Sequence, residues 1–277
     1  AHRLVTLRGM GGIGKTRLAD EIAVRVSQKF GDVFLVELAQ THNSAAAAVS
    51  ELVAKLEVKL AGFPDEAMAL QETLQNRNAL LVLDNFEAVM AAASLVGKLH
   101  RRCLGLHFLV TSQKLLGVDG EQQIEVQPMA APAAQPAIPL ELLAQLDSFR
   151  LFRDRAKLKT PGWEVKPEEA PLIAEILELT DGVPLSIELA AVRVDSGPLV
   201  SIRDGLKKNR MEFLKRSGPG VEEKRHASIQ ACIDWSFQLL LPEEQALFPK
   251  LSIFVGRFFP EDVAQVCGVA TASGLLD

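Results

Sequence analysis

Cysteine is scarce in this 277-residue chain, and its three copies, Cys103, Cys232 and Cys267, lie far apart. No C-x-x-C pair occurs and no histidine stands at ligand spacing, which excludes a zinc site and a disulfide framework; the three read as small buried hydrophobes. An apolar run of about 18 residues is missing, and so is a signal peptide, so neither a membrane span nor export is expected and the compartment reads as cytoplasmic. A basic excess is missing too. Lys and Arg total 30 against 35 Asp and Glu, and the net charge of −5 argues against nonspecific binding to nucleic acid or a membrane surface. At 48% hydrophobic and 23% charged, the composition is that of an ordinary globular chain with ample core. Its length suggests about two domains, or three small ones. The chain starts at Ala1 directly on an apolar run and stops at Asp277 within a helical pattern, as expected of a piece of a longer protein.

What is present is concentrated near the start. Gly9, four residues, then Gly14, Lys15 and Thr16 match the phosphate-loop pattern G-x-x-x-x-G-K-[ST]. The apolar run Leu4–Leu7 before it reads as a strand, and Thr16–Gln28 after it as a helix. That context separates a phosphate site from an accidental glycine-rich turn. Backbone N–H groups and a helix N-terminus form a cradle for polyanionic phosphate. Gly9, Gly11, Gly12 and Gly14 lack the Cβ that would block the loop's tight path and its approach to the oxygens. Lys15 brings a point charge to the β- and γ-phosphates, and the Thr16 hydroxyl is suited to ligate Mg²⁺.

Val33–Leu38 reads as a second strand, followed by helices over Ala45–Leu60 and Pro64–Asn76. Ala79–Asp84 is a run of large apolar residues closing on an acid. Continuous apolar character means a strand buried on both faces of a parallel sheet, and an acid at its C-terminal end lies at the ligand-binding edge. Asp84 is therefore the second candidate magnesium residue, the alternative being a turn former. Leu106–Val110 is another buried strand ending in Thr111, Ser112 and Gln113, whose polar groups either sense a γ-phosphate or cap a helix. Glu121–Val126 alternates as an edge strand, and the Pro/Ala-rich Gln127–Pro139 reads as a linker. Beyond it the pattern is helical over Leu140–Leu158, Glu168–Leu179, Pro184–Val194 and Leu199–Leu214, with Gly182 and Pro184 ending one helix and opening the next. A turn at Gly218–Gly220 precedes three short helical segments, His226–Leu241, Pro242–Leu251 and Phe259–Val266.

In this order the motifs resemble those of the STAND signal-transduction NTPases of the NB-ARC type, which include plant resistance receptors, apoptosome ATPases and large bacterial regulators. GMGGIGKTRLA is similar to the family's phosphate loop, LLVLDNFE to its Walker B strand and FLVTSQ to its sensor strand. DGVPLSIELAA resembles its helical-domain motif, and SIQACIDWSFQLL with LFPKLSIFVGRF the opening of its winged helix. The resemblance covers nearly the whole chain. It implies an α/β P-loop NTPase with a parallel sheet of the ASCE/AAA-like kind over residues 1–135, an all-α helical domain over 136–217 and a partial winged-helix domain over 218–277.

It also implies an ATP/ADP-operated switch with Mg²⁺ as cofactor. ADP would clamp the domains together, and exchange for ATP would open the chain and allow self-association. The nucleotide would lie along Gly9, Met10, Gly11, Gly12, Ile13, Gly14, Lys15, Thr16 and Arg17, with Pro184 on the adenine. Two departures from the family pattern point to slow hydrolysis. A second acid often follows the magnesium Asp, but here it is Asn85, leaving Glu87 as a substitute or as a solvated turn acid. The sensor strand commonly ends in Arg, whereas here it ends in Gln113, removing a charge that a transferring phosphoryl group would use. His226 is either a β-phosphate contact or a surface residue, Trp163 and Trp235 are expected to pack rather than stack on a base, and the acidic, apolar Ile229–Leu241 argues against DNA contact. An AAA+-like remodelling ATPase and a scaffold with vestigial nucleotide are the competing functions.

Overall fold

The computed structural model of the chain describes residues 2–38, 44–60, 62–132, 138–214, 233–234, 237, 240–254 and 259–267. Five strands build its first half: β1 (Leu4–Arg8), β2 (Asp32–Glu37), β3 (Ala79–Asp84), β4 (Leu106–Ser112) and β5 (Glu121–Glu125). They lie in the order β2-β3-β4-β1-β5 and every pairing is parallel. Helices α1 (Lys15–Val26), α2 (Ala45–Lys55), α3 (Glu66–Leu74) and α4 (Ala93–Arg102) fall between the strands and cover the sheet.

Strand periodicity divides the core into two layers. Leu81 and Leu83 of β3 join Phe108 and Val110 of β4 on one face, packed against α2, α3 and α4 through Leu52, Leu70, Leu74 and Leu99. Leu80, Val82 and Leu109 point the other way, onto Ala19 and Ala23 of α1. All six residues of β3 are buried, as its unbroken apolar run requires. Because β4 is inserted between β1 and β3, the loop after β1 and the acid ending β3 reach the same C-terminal edge with the end of β4 between them.

Helix starts differ in a way that matters for that edge. Ser44 and Asp65 cap α2 and α3, accepting from the Ala47 and Met68 N–H groups. At α1 the capping position is Gly14, held left-handed at φ 94°, and no side chain caps the first turn.

The second half is helical: α5 (Leu140–Leu143), α6 (Asp147–Lys159), α7 (Ala170–Leu179), α8 (Pro184–Ala191) and α9 (Leu199–Phe213). Phe149, Phe152, Ile173, Leu177, Ile187, Leu189, Ile202 and Leu206 form its core. The expected single helix over Leu140–Leu158 is two. Leu143 and Phe149 would stand about 120° apart around one helix, and the break at residues 144–146 lets both face this core. Trp163 packs on Phe152 with ring centroids 5.9 Å apart, a packing role. The last turn of α9 is kinked at Asn209 (φ −160°, ψ 89°), whose side chain accepts from the Glu212 N–H.

The expected linker is pinned over its first part. Just before it, Val126 N–H donates to Arg8 O (2.7 Å); within it, Met129 N–H donates to Gly182 O (2.9 Å) and Ala130 O accepts the Ser148 hydroxyl (2.6 Å), while the Met129 side chain packs against the helical core. Residues 133–137 of it lie outside the described residues. Of the third block, α10 (Pro242–Leu247) and α11 (Pro260–Cys267) are described. The helix expected to run to Leu251 stops at Leu247 and continues as a 3₁₀ turn, because Pro249 has no N–H and crowds the carbonyl four residues back. The turn at Gly218–Gly220, His226, Cys232, Trp235 and most of the expected helix His226–Leu241 lie outside the described residues. Among the described residues no helix is long and apolar enough to cross a membrane.

Candidate functional site

At the C-terminal edge of the sheet, residues from three strand ends converge. The Thr16 hydroxyl donates to Asp84 Oδ1 at 2.7 Å, joining two motifs that are 68 positions apart. Thr111 Oγ1, fully buried, donates to the same oxygen at 2.5 Å and accepts the Asn85 N–H at 2.9 Å. The direction is fixed by chemistry. A carboxylate only accepts and a backbone N–H only donates, so the single hydroxyl proton of Thr111 points at Asp84. The Asn85 amide donates to Asp84 Oδ2 at 2.6 Å. Asn85 itself stands in the left-handed region at φ 60°, which asparagine tolerates better than most residues. No helix follows β4, so Thr111 and Ser112 cap none. Ser112 Oγ instead accepts the Lys114 N–H in a turn.

Lys15 is buried, and its ammonium donates to the Gly9 and Met10 carbonyls at 2.7 and 3.1 Å. It is thus held at the mouth of the loop whose phosphates it would meet. Glu87 is buried rather than a solvated turn acid, and its Oε2 accepts the Gln113 N–H at 3.3 Å. Arg8 Nε donates to the Gln113 carbonyl at 3.4 Å. Thus Gln113 meets Glu87 and Arg8 through its backbone. Asp20, one turn beyond Thr16, has its carboxyl held above the ordinary aspartate value by partial desolvation and secondarily by the negative charge of Asp84.

The loop is also covered from the helical half. Gly12, at φ 80°, lies where a Cβ would come within 3.0 Å of the Leu185 side chain, and Leu185 N–H donates to Gly12 O at 3.2 Å. Pro184 Cγ comes within 4.0 Å of the position a Gly14 Cβ would take. Ile13 is buried and Met10 is half exposed. Arg17 does not converge with Lys15 and Thr16. Its side chain is 75% exposed and pairs with Glu188 of α8 at 3.5 Å. Sequence reasoning missed Leu185 and Glu188. The signal was there: they stand one and four residues after Pro184, on one face of the helix it opens.

The donor set fits the groups it would have to hold. Thr16 and Asp84 are hard oxygen ligands of the kind Mg²⁺ takes, and the cradle has a lysine, an uncapped helix start and glycines where side chains would intrude. A parallel sheet with β4 inserted between a phosphate-loop strand and an acid-ending strand defines the P-loop NTPase class.

Comparison with known proteins narrows that class. The NB-ARC domain family matches residues 1–154, more than half of the chain. The chain belongs to the NB-ARC domain family. A Mycobacterium tuberculosis protein provisionally named an HTH-type transcriptional regulator is 36% identical over 99% of this chain and 29% of its own length. An uncharacterized protein of the same organism is 31% identical over 96% of this chain and 64% of its own length. The chain thus spans about a third of the first relative and under two thirds of the second. Among solved structures, the STAND protein with a tetratricopeptide repeat sensor from Pyrococcus horikoshii superposes with a TM-score of 0.41 at 17% identity, over 95% of this chain and 34% of that one.

Proposed function

We propose that this chain is the nucleotide-operated switch of a larger regulatory protein, binding ADP or ATP with Mg²⁺ on the phosphate loop and hydrolysing ATP slowly. Membership of the NB-ARC family supports a nucleotide-dependent regulatory ATPase. The observation that carries the reading is the 2.7 Å contact between Thr16 and Asp84, which puts both candidate magnesium residues at one point beside the loop. The division into a nucleotide domain (1–135), a helical domain (136–217) and a winged-helix domain (218–277) belongs to the same proposal. So do self-association in the ATP state and a transcriptional output of the longer protein, and DNA contact by this part is not expected.

Bound magnesium would supply charge neutralisation at the β- and γ-phosphate oxygens. The residues do the rest. Lys15 exchanges its two carbonyl partners for phosphate oxygens, and the loop N–H groups and the start of α1 take the remaining charge. Thr16 and Asp84 would hold the cation, and the Thr111 hydroxyl bond keeps Asp84 oriented for that role. Pro184 and Leu185 lie against the loop, which supports the helical half meeting the nucleotide, where Pro184 would face the adenine.

Slow hydrolysis follows from what stands near the γ-phosphate position. Asn85 carries an amide that donates to Asp84 and has no basic oxygen to take a proton from water. Gln113 offers no guanidinium, and such a charge is worth about 10³–10⁵ in rate where it is present. Glu87, buried beside the Gln113 N–H, is the acid that would orient water. A switch further needs the γ-phosphate to favour one arrangement of the domains over the other.

Calorimetric titration with ADP and ATP, with and without magnesium, together with a turnover assay, tests the reading. Binding of ADP with little turnover is expected. Sustained fast turnover would instead make the chain a remodelling ATPase, and no binding by folded protein would make it a scaffold.

A further inference from the structure

Glu188 lies one turn along α8 from Leu185, on the same face. Its Oε1 receives Arg155 Nε and Nη2 of α6 at 3.0 and 2.8 Å, and Arg17 Nη1 of α1 at 3.5 Å. The Glu188 side chain is 20% exposed and Arg155 28%, whereas Arg17 is 75% exposed. One carboxylate therefore serves two guanidinium groups, one from its own helical half and one from the helix that starts at the phosphate loop. Arg155 restrains the carboxylate, since two charge-assisted hydrogen bonds from its guanidinium converge on the one oxygen that Arg17 also meets. Arg17, directly after Lys15 and Thr16, is then drawn to a fixed negative charge.

We propose that Glu188 is a positioning residue for the phosphate loop, holding α1 against α8 through Arg17 so that the Leu185 contact with Gly12 stays closed. The contact and the ion pair lie one helical turn apart on α8. Together they set both the position and the tilt of the helix on the loop, where either alone would leave a pivot. The pair also directs the Arg17 guanidinium toward α8 and leaves the phosphates to Lys15. The consequence for nucleotide binding rests on the switch reading above; the clasp itself does not.

The test is amide hydrogen exchange on the whole 277-residue chain, first without nucleotide. Glu188→Gln keeps the size of the side chain and removes the charge. The Leu185 amide, which donates to Gly12 O, is expected to exchange about two- to fivefold faster, in keeping with the modest worth of partly exposed ion pairs, while amides of β3 and α7 keep their rates. Glu188→Asp, one methylene shorter but charged, should recover part of the protection. Arg155→Gln should reproduce the loss, because it frees the carboxylate that holds Arg17. Unchanged Leu185 exchange in Glu188→Gln overturns the proposal, as does equal loosening of β3 and α7, which would make Glu188 a general packing residue. ADP with magnesium is then added. Slowed exchange at 184–191 in the native chain but not in Glu188→Gln extends the clasp to nucleotide sensing, whereas equal slowing in both overturns that extension. Absence of any ADP effect in the native chain would contradict the switch reading and leave the clasp standing on the first measurement.

Discussion

Replacing Thr111 by valine tests the polar centre with little change of shape. The side chain is fully buried, and valine has nearly the same outline, so no cavity opens and the cost is polar alone. Two bonds are lost. The Asn85 N–H, accepted at 2.9 Å, is left without that partner, worth about 1–3 kcal/mol for a buried donor. Asp84 loses a hydroxyl donor at 2.5 Å, and bonds to charged groups contribute about 1.5–3 kcal/mol. Against this stands the desolvation of the hydroxyl itself, about 1–3 kcal/mol, which valine avoids. The net expectation is destabilisation by about 2–3 kcal/mol, read by urea denaturation at constant m-value. Thr111→Ser keeps the hydroxyl and drops one methyl, so about 1 kcal/mol is expected. A Thr111→Val loss under about 0.5 kcal/mol, or a Ser variant as damaging as Val, would refute the assignment of this hydroxyl as the link between Asp84 and Asn85.

Gly182→Ala should destabilise by about 2–4 kcal/mol in the same assay, since φ 66° disfavours a side chain and its Cβ would fall 2.0 Å from the Met129 carbonyl, opening the pinned crossing between the two halves. Gln113→Arg should raise ATP turnover by about tenfold or more if a missing charge limits the rate, and unchanged turnover with nucleotide bound would count against that account. Acid should weaken the fold as pH falls below the ordinary histidine value of about 6.5. His100 and His107 both have lowered values, first through desolvation and then through the Arg3 charge. The unfolded chain therefore takes up protons first as pH falls, and stability drops until the folded histidines titrate. Tm measured over that fall in pH should drop less in the His100→Gln, His107→Gln double variant.

The sheet and the phosphate loop were legible because each is local. The apolar run 79–83 has the unbroken pattern of a strand buried on both faces, and the loop glycines and Lys15 stand together in the chain. Pro184 was legible as a helix start, but what it and Leu185 approach was not, since Gly14 and Gly12 lie about 170 positions away in the chain. Arg17 shows the limit most clearly. Its position in the motif suggested a phosphate contact, and the side-chain pairing with Glu188 of α8 could not be read from the motif. The break between α5 and α6 was hidden because both pieces carry helical spacing and only the shared core shows that they face it from different angles. Thr111 was visible as a polar residue ending a strand, but its partner is set by the sheet order, which no local pattern states.

The most direct test is titration of the native chain and of Lys15→Ala with ADP and magnesium. The native protein is expected to bind. Loss of the Lys15 ammonium held at the loop mouth should weaken binding by at least about 100-fold, equivalent to about 2.7 kcal/mol, with the fold intact by circular dichroism. Equal affinity of the two proteins, or a folded native chain that ignores the nucleotide, would contradict the account.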